Sequence, residues 1–153
     1  MRFRRESYTS PFDPTLIVTE DGGERWCYYR PDDPPAARHF FVSEDGGDSW
    51  QEAILFGTGV TDLAVGPADE VYATMGNNDL YRTDDHGASW TEIPNGGWPE
   101  GTIGVLDEVA VDETGAVLVS SRNAGIWRST DGGAQWSLYD DGLPPADYPR
   151  VMF

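Results

Sequence analysis

The sequence contains no lysine: its ten basic residues are all arginine, set against twenty-seven aspartates and glutamates, for a net charge of −17 over 153 residues. Without an amine side chain, a P-loop, a Schiff base and a Ser-x-x-Lys nucleophile are all excluded. A surface this acidic repels phosphate backbones and anionic lipid, so neither nucleic acid nor membrane is expected as a partner. Cysteine is nearly absent as well. Cys27 alone cannot form an internal disulfide, and with only His39 and His86 beside it a Cys/His zinc site lacks ligands; no metal and no cofactor is expected. No apolar run approaches the roughly 18 residues that cross a bilayer. The start, Met1 to Ser7, is positively charged, but Pro11, Asp13 and Pro14 interrupt the place of an apolar export signal, so a soluble, cytoplasmic protein is expected.

What the chain does contain is acid, glycine and aromatic residues, in a length suited to one domain with its own core. Acidity with arginine in place of lysine has two readings. In a cytoplasm of about 1 M salt the Debye length falls to about 3 Å, so a dense carboxylate surface repels itself little; a GC-rich genome would produce the same residue choice through codons. Both readings concern solubility and stability, not activity.

Internal repetition decides the architecture. The pattern Ser/Thr-x-Asp-x-Gly-x-x-Trp occurs four times: Thr19, Asp21, Gly23 and Trp26; Ser43, Asp45, Gly47 and Trp50; Thr83, Asp85, Gly87 and Trp90; Ser129, Asp131, Gly133 and Trp136. The last two copies lie in a longer duplication, Asp62–Trp90 over Glu108–Trp136, without a gap at an offset of 46 residues. Each duplicate reads as four short strands: 61–65, 70–74, 79–83 and 89–93 in the first, 106–111, 116–120, 125–129 and 135–139 in the second. Four strands in about 40–45 residues is the size of a propeller blade. Asp and Ser/Thr side chains accept bonds from nearby backbone N–H groups and glycine supplies positive φ, so the repeated stretch should fold as a self-satisfied turn between third and fourth strands. Its tryptophan should open the fourth strand and pack over the turn.

The four segments resemble Asp-boxes, the BNR repeats of sialidases, sortilin-type receptors, some xyloglucan hydrolases and a photosystem assembly factor. The resemblance spans Thr15 to Tyr139 and implies an all-β fold, a β-propeller of Asp-box blades, in which the sixteen repeated residues are structural. It implies no single activity, because the family includes enzymes, receptors and assembly factors.

The first two copies are only 24 residues apart, which leaves room for two hairpins (15–19 with 25–29, 39–43 with 50–55) around a stiff Arg30–Ala37 linker. The expected sum is an incomplete ring of two full four-stranded blades plus two hairpins, with 3–8 and 151–153 as extra strands. Self-association into a homo-oligomer that completes the ring is the favoured outcome; closure by the terminal strands, or a truncated remnant, are the others.

If the repeated turns mark one face, the loops joining second to third strands and blade to blade mark the other. That face carries the candidate ligand-binding residues Asn77, Asn78, Trp98, Arg122 and Asn123. Trp98, in a glycine-rich loop off the repeat positions, is suited to stack on a sugar or to cover a seam between blades; the arginine and asparagines suit a carboxylate or hydroxyl, or plain loop solvation. No Ser-His-Asp spacing, HExxH, EF-hand or dinucleotide fingerprint is present. By resemblance, a sialidase would need three arginines, a tyrosine with a glutamate partner, another acid and a Phe/Tyr-Arg-Ile-Pro segment, whereas Phe3-Arg4-Arg5-Glu6 lacks the Ile-Pro. The expectation is a non-catalytic module that binds a protein or a glycan, with no catalytic residue assigned. A sialidase-like glycoside hydrolase is the alternative, and calcium binding by the acidic turns a third.

Overall fold

A computed structural model describes residues 4–6, 16–19, 25–29, 40–43, 48–53, 60–75, 78–94, 106–121 and 125–139. They form thirteen strands: β1 (Arg4–Glu6), β2 (Leu16–Thr19), β3 (Arg25–Tyr29), β4 (Phe40–Ser43), β5 (Gln51–Ala53), β6 (Val60–Val65), β7 (Val71–Met75), β8 (Leu80–Thr83), β9 (Thr91–Ile93), β10 (Leu106–Val111), β11 (Val117–Ser121), β12 (Gly125–Ser129) and β13 (Ser137–Leu138). Three antiparallel sheets result, each in chain order: β1–β5, β6–β9 and β10–β13.

The duplicated module folds as two matching sheets. Val65 pairs with Val71 and Val111 with Val117; Leu80 pairs with Thr74 and Ile126 with Ser120. Both copies also carry a register shift at the same repeat position, between Val60 and Asp62 and between Leu106 and Glu108. Such a bulge re-aims the side chains that follow it.

Side-chain alternation builds the core from both faces of the middle sheet. One face sends Leu63, Val71, Ala73 and Met75 toward Val42 of the first sheet. The other sends Ala64, Tyr72, Leu80 and Ile93 against Leu106, Val109, Val117, Val119, Trp127 and Trp136 of the third. β6 lies beside β10 and against β2, and β6 and β10 are the inner strands of the second and third sheets.

The two N-terminal hairpins, expected as separate units, share one sheet, because β3 pairs with β4 through Trp26–Ser43 to Tyr29–Phe40 and β1 adds a strand beyond β2. The 24-residue spacing, two strands rather than four, is compatible with this arrangement, in which the β2→β3 and β4→β5 connections leave the same end of one sheet. The expected extra strand at 3–8 is β1; 151–153 and the linker lie outside the described residues. The tryptophans do not open the fourth strands. β9 and β13 begin one residue later, at Thr91 and Ser137; at Trp136 the ring folds back on its own turn before the ladder starts.

Candidate functional site

The two repeated turns described in full are built alike. The Thr83 hydroxyl donates to Asp85 Oδ1 (2.7 Å) and accepts from the Gly87 N–H (2.9 Å). Asp85 Oδ1 also accepts from the Ser89 N–H (2.8 Å), and Oδ2 takes the Ser89 hydroxyl. In the next sheet, Ser129 Oγ donates to Asp131 Oδ1 (2.8 Å) and accepts from the Gly133 N–H (2.8 Å), while Asp131 Oδ1 accepts from the Gln135 N–H (2.9 Å). These donors stabilise the ionised carboxylates. The Ser89 hydroxyl, then the Ser89 N–H and the Thr83 hydroxyl, hold Asp85 down at about 2; the Gln135 N–H and the Ser129 hydroxyl lower Asp131.

Each tryptophan serves the sheet interface beside it. Trp136 Nε1 donates to Gly133 O (3.0 Å) with its ring in the core between second and third sheets, and Trp90 packs against the core between first and second. Of the first two copies, Asp21, Gly23, Asp45 and Gly47 lie outside the described residues, and Thr19 and Trp26 are placed as backbone of β2 and β3. Ser43 is fully buried at the end of β4, and Trp50, before β5, is 37% exposed.

At the same end of the sheets stand two arginines at one repeat position. Arg82 bonds Asp84 through Nε (2.9 Å) and Nη2 (2.6 Å) and lies 5.8 Å over the Tyr72 ring. Arg128 reaches Asp112 (3.5 Å) and lies 5.5 Å over Tyr139. Asp112 is lowered by the Thr114 hydroxyl first and then by the backbone N–H groups of Ala116 and Thr114. Burial pushes the Tyr72 hydroxyl above its usual range, against the opposing pull of Arg82. The turn of the third sheet closes over this pair: a Cβ on Gly132 would meet Arg82 Nη1 at 3.0 Å and Tyr72 Oη at 3.8 Å. Tyr72 has acid and arginine neighbours of the kind a sialidase uses, but it is buried, and Arg82 and Arg128 each pair with an acid of their own sheet. Among the described residues no three or more His, Cys, Asp or Glu side chains are grouped to hold a metal.

At the opposite end only Asn78 of the expected ligand residues is described; Asn77, Trp98, Arg122 and Asn123 lie outside. Asn78 takes positive φ (74°), donates its N–H to Met75 O (2.9 Å), and accepts the Leu106 N–H on Oδ1 (3.2 Å). Asp62 Oδ2 accepts the Val109 N–H (3.0 Å). Both bonds tie the second sheet to the inner strand of the third. Asp62, Tyr72 and Asp112 were not singled out from the sequence, although the acid at 62 recurs at 108 and so carried a signal.

No known protein-family model matches the chain. It is 28% identical over 162 residues to xyloglucanase Xgh74A of Acetivibrio thermocellus, a match covering 84% of this chain and 18% of that protein. It is 30% identical over 120 residues to the probable oligoxyloglucan-reducing end-specific xyloglucanase of Neosartorya fischeri, covering 67% of this chain and 14% of that one. The chain therefore spans less than a fifth of these relatives. Among solved structures, YCF48 bound to a D1 peptide superposes with a TM-score of 0.61 at 17% identity, over 86% of this chain and 42% of that one. The protein has a β-propeller fold, and its described residues form three sheets of an incomplete ring.

Proposed function

We propose that the chain is a non-catalytic Asp-box (BNR) module that binds a partner, protein or glycan, through the end of the blades opposite its repeated turns. The observation that carries this reading is that Asp85 and Asp131 are held by hydroxyl and N–H donors of their own turns and Tyr72 is buried. The repeated turns thus spend their chemistry on the fold. YCF48, whose solved structure holds a D1 peptide, supports a binding role for a propeller of this kind. In this reading Trp98 supplies a stacking surface, and Asn77, Arg122 and Asn123 the polar contacts, while the Asn78 side chain ties the second sheet to the third.

Calorimetric titration of the chain with xyloglucan oligosaccharides and with a peptide panel tests it. Trp98→Ala and Arg122→Ala should each weaken the bound probe about tenfold, the scale of one aromatic or charge-assisted contact. Binding untouched by both substitutions would sink the assignment of that end.

The likeness to two xyloglucanases favours a second reading, that the chain is part of a glycoside hydrolase. Release of reducing ends from xyloglucan by the purified chain would decide for it. We further propose that self-association completes the ring, because three sheets among the described residues are fewer than the four to eight blades typical of closed propellers.

A further inference from the structure

We propose that the outer edge of the third sheet, strand β13, takes an extended basic peptide of a partner protein as an added strand. This surface is separate from the end of the blades considered above and does not rest on that reading.

The repeat supplies the first observation. Two positions after each repeated tryptophan stand Tyr28, Glu52, Glu92 and Leu138. Tyr28 lies in β3, which is paired on both sides, by β2 and by β4. Glu52 and Glu92 lie in β5 and β9, each the last strand of its sheet. A charge in the middle of an edge strand guards it against further pairing. β13 is also the last strand of its sheet, yet it carries leucine at the guarded position. Pro94, just beyond β9, is a second such guard, and its counterpart after β13 is Asp140.

The side chains and the backbone of β13 agree with this. Leu138 is 51% exposed and Tyr139 57% exposed, two large apolar residues in succession on the outermost strand. The Tyr139 N–H donates to Ile126 O (2.7 Å), so Tyr139 turns its amide toward β12. In an antiparallel ladder the neighbouring residue turns the other way, and Leu138 therefore presents both its N–H and its C=O to the outside. Its side chain stands opposite Trp127, which belongs to the core between second and third sheets. An apolar side chain laid beside Leu138 would extend that core, while the backbone of the same residue supplies a donor and an acceptor.

Charge selects the occupant. Asp131 precedes β13, and Asp140 and Asp141 follow it, in a chain of net charge −17. Arg128, beside the strand, is already paired with Asp112. A segment with an apolar residue at its centre and lysine or arginine around it complements this edge. A second copy laid edge to edge would set the same three aspartates against each other.

The test follows the Leu138 amide of the full chain by NMR. The probe is an acetylated peptide of about ten residues alternating lysine and valine, long enough for one strand. At saturation it should slow exchange of that amide with solvent at least about tenfold. The same peptide N-methylated on alternate amides, which cannot complete a ladder, and a glutamate-valine counterpart should not. Leu138→Glu places at this edge the residue that β5 and β9 carry, so the fold is kept. It should weaken the lysine-valine peptide at least about tenfold, although it adds an attractive charge. Trp98→Ala should leave the binding unchanged, so that failure here and failure of the reading above are seen separately. A peptide without effect on Leu138, or one that binds the Leu138→Glu chain as well as wild type, would overturn the inference. So would equal binding of the N-methylated or the glutamate peptide. An amide already slow in the dilute free chain would show the edge covered by the chain itself, and one slowed only by raising the chain's own concentration would show a second copy there; each would overturn the choice of occupant.

Discussion

Ser129 shows how little chemistry a repeated turn needs. Its single oxygen, buried, donates to Asp131 and accepts from the Gly133 N–H, so Ser129→Ala strands a buried donor as well as releasing the carboxylate. Chemical denaturation should show a loss of about 1–3 kcal/mol, the usual cost of such a group. Thr83→Val should behave alike, because Thr83 makes the same two bonds. The acid side has its own signature. Asp85 is depressed to about 2, and Asp131 and Asp112 are lowered too, all by donors present only in the folded turns. Folded values below unfolded ones mean that this stabilisation is complete above the unfolded carboxylate range, near pH 4, and is lost as pH falls through the folded values. Urea midpoints should therefore drop between about pH 4 and about pH 2. Asp85→Asn should lie below wild type at pH 5 and approach it at the acid end; a constant gap between the two curves would contradict the cause assigned to the shift.

At the scale of the element, a turn matters for what it touches in the next blade. Gly133 has φ +97°, and a Cβ there would meet Ile93 Cγ2 of the neighbouring sheet at 2.7 Å; Gly115 has φ +82° but only Pro67 Cγ nearby, at 3.7 Å. Both alanine substitutions pay backbone strain, of about 1 kcal/mol or more, and only Gly133→Ala adds crowding between blades. Thermal denaturation should thus rank Gly133→Ala well below Gly115→Ala, and equal losses would mean that the turn does not press on its neighbour. Leu106→Ala, in the same interface and almost fully buried, should cost about 2–5 kcal/mol. What was legible beforehand follows this division. The 46-residue duplication located β6–β13 to within a residue or two, because strand alternation and turn chemistry are local and were written twice. The β3–β4 pairing was not legible, since two hairpins 24 residues apart show nothing of which edges meet. Nor was the use of Asn78, whose side chain suits a ligand in a loop but whose Oδ1 takes the Leu106 N–H, a bond formed only once two sheets are side by side. The acid at 62 and 108 shows the limit best: the repeat displayed it, but its partner N–H lies 47 residues away across a sheet boundary.

For the whole molecule, the largest unbalanced quantity is charge. A net −17 on 153 residues, with no lysine, places a repulsive field across every blade interface. The ion pairs seen in the structure offset little of it, since Arg82–Asp84 lies at the surface and such pairs contribute little. Two consequences separate a charge-limited fold from one that is acidic only by codon usage. Raising salt from about 0.05 M to about 1 M shortens the Debye length from over 10 Å to about 3 Å, so a charge-limited fold should gain in Tm by about 5 °C or more. The gain should be similar for sodium and potassium chloride, because screening depends on ionic strength. An uncharged osmolyte, which stabilises by exclusion from the surface, cannot reproduce it through that route. The scan belongs at a protein concentration low enough to keep the chain monomeric, since salt also favours association of like-charged copies and binding raises Tm by mass action. A Tm that stays flat across that range would show that the blades pack well enough to ignore the field, and the arginine-for-lysine composition would then have no bearing on stability.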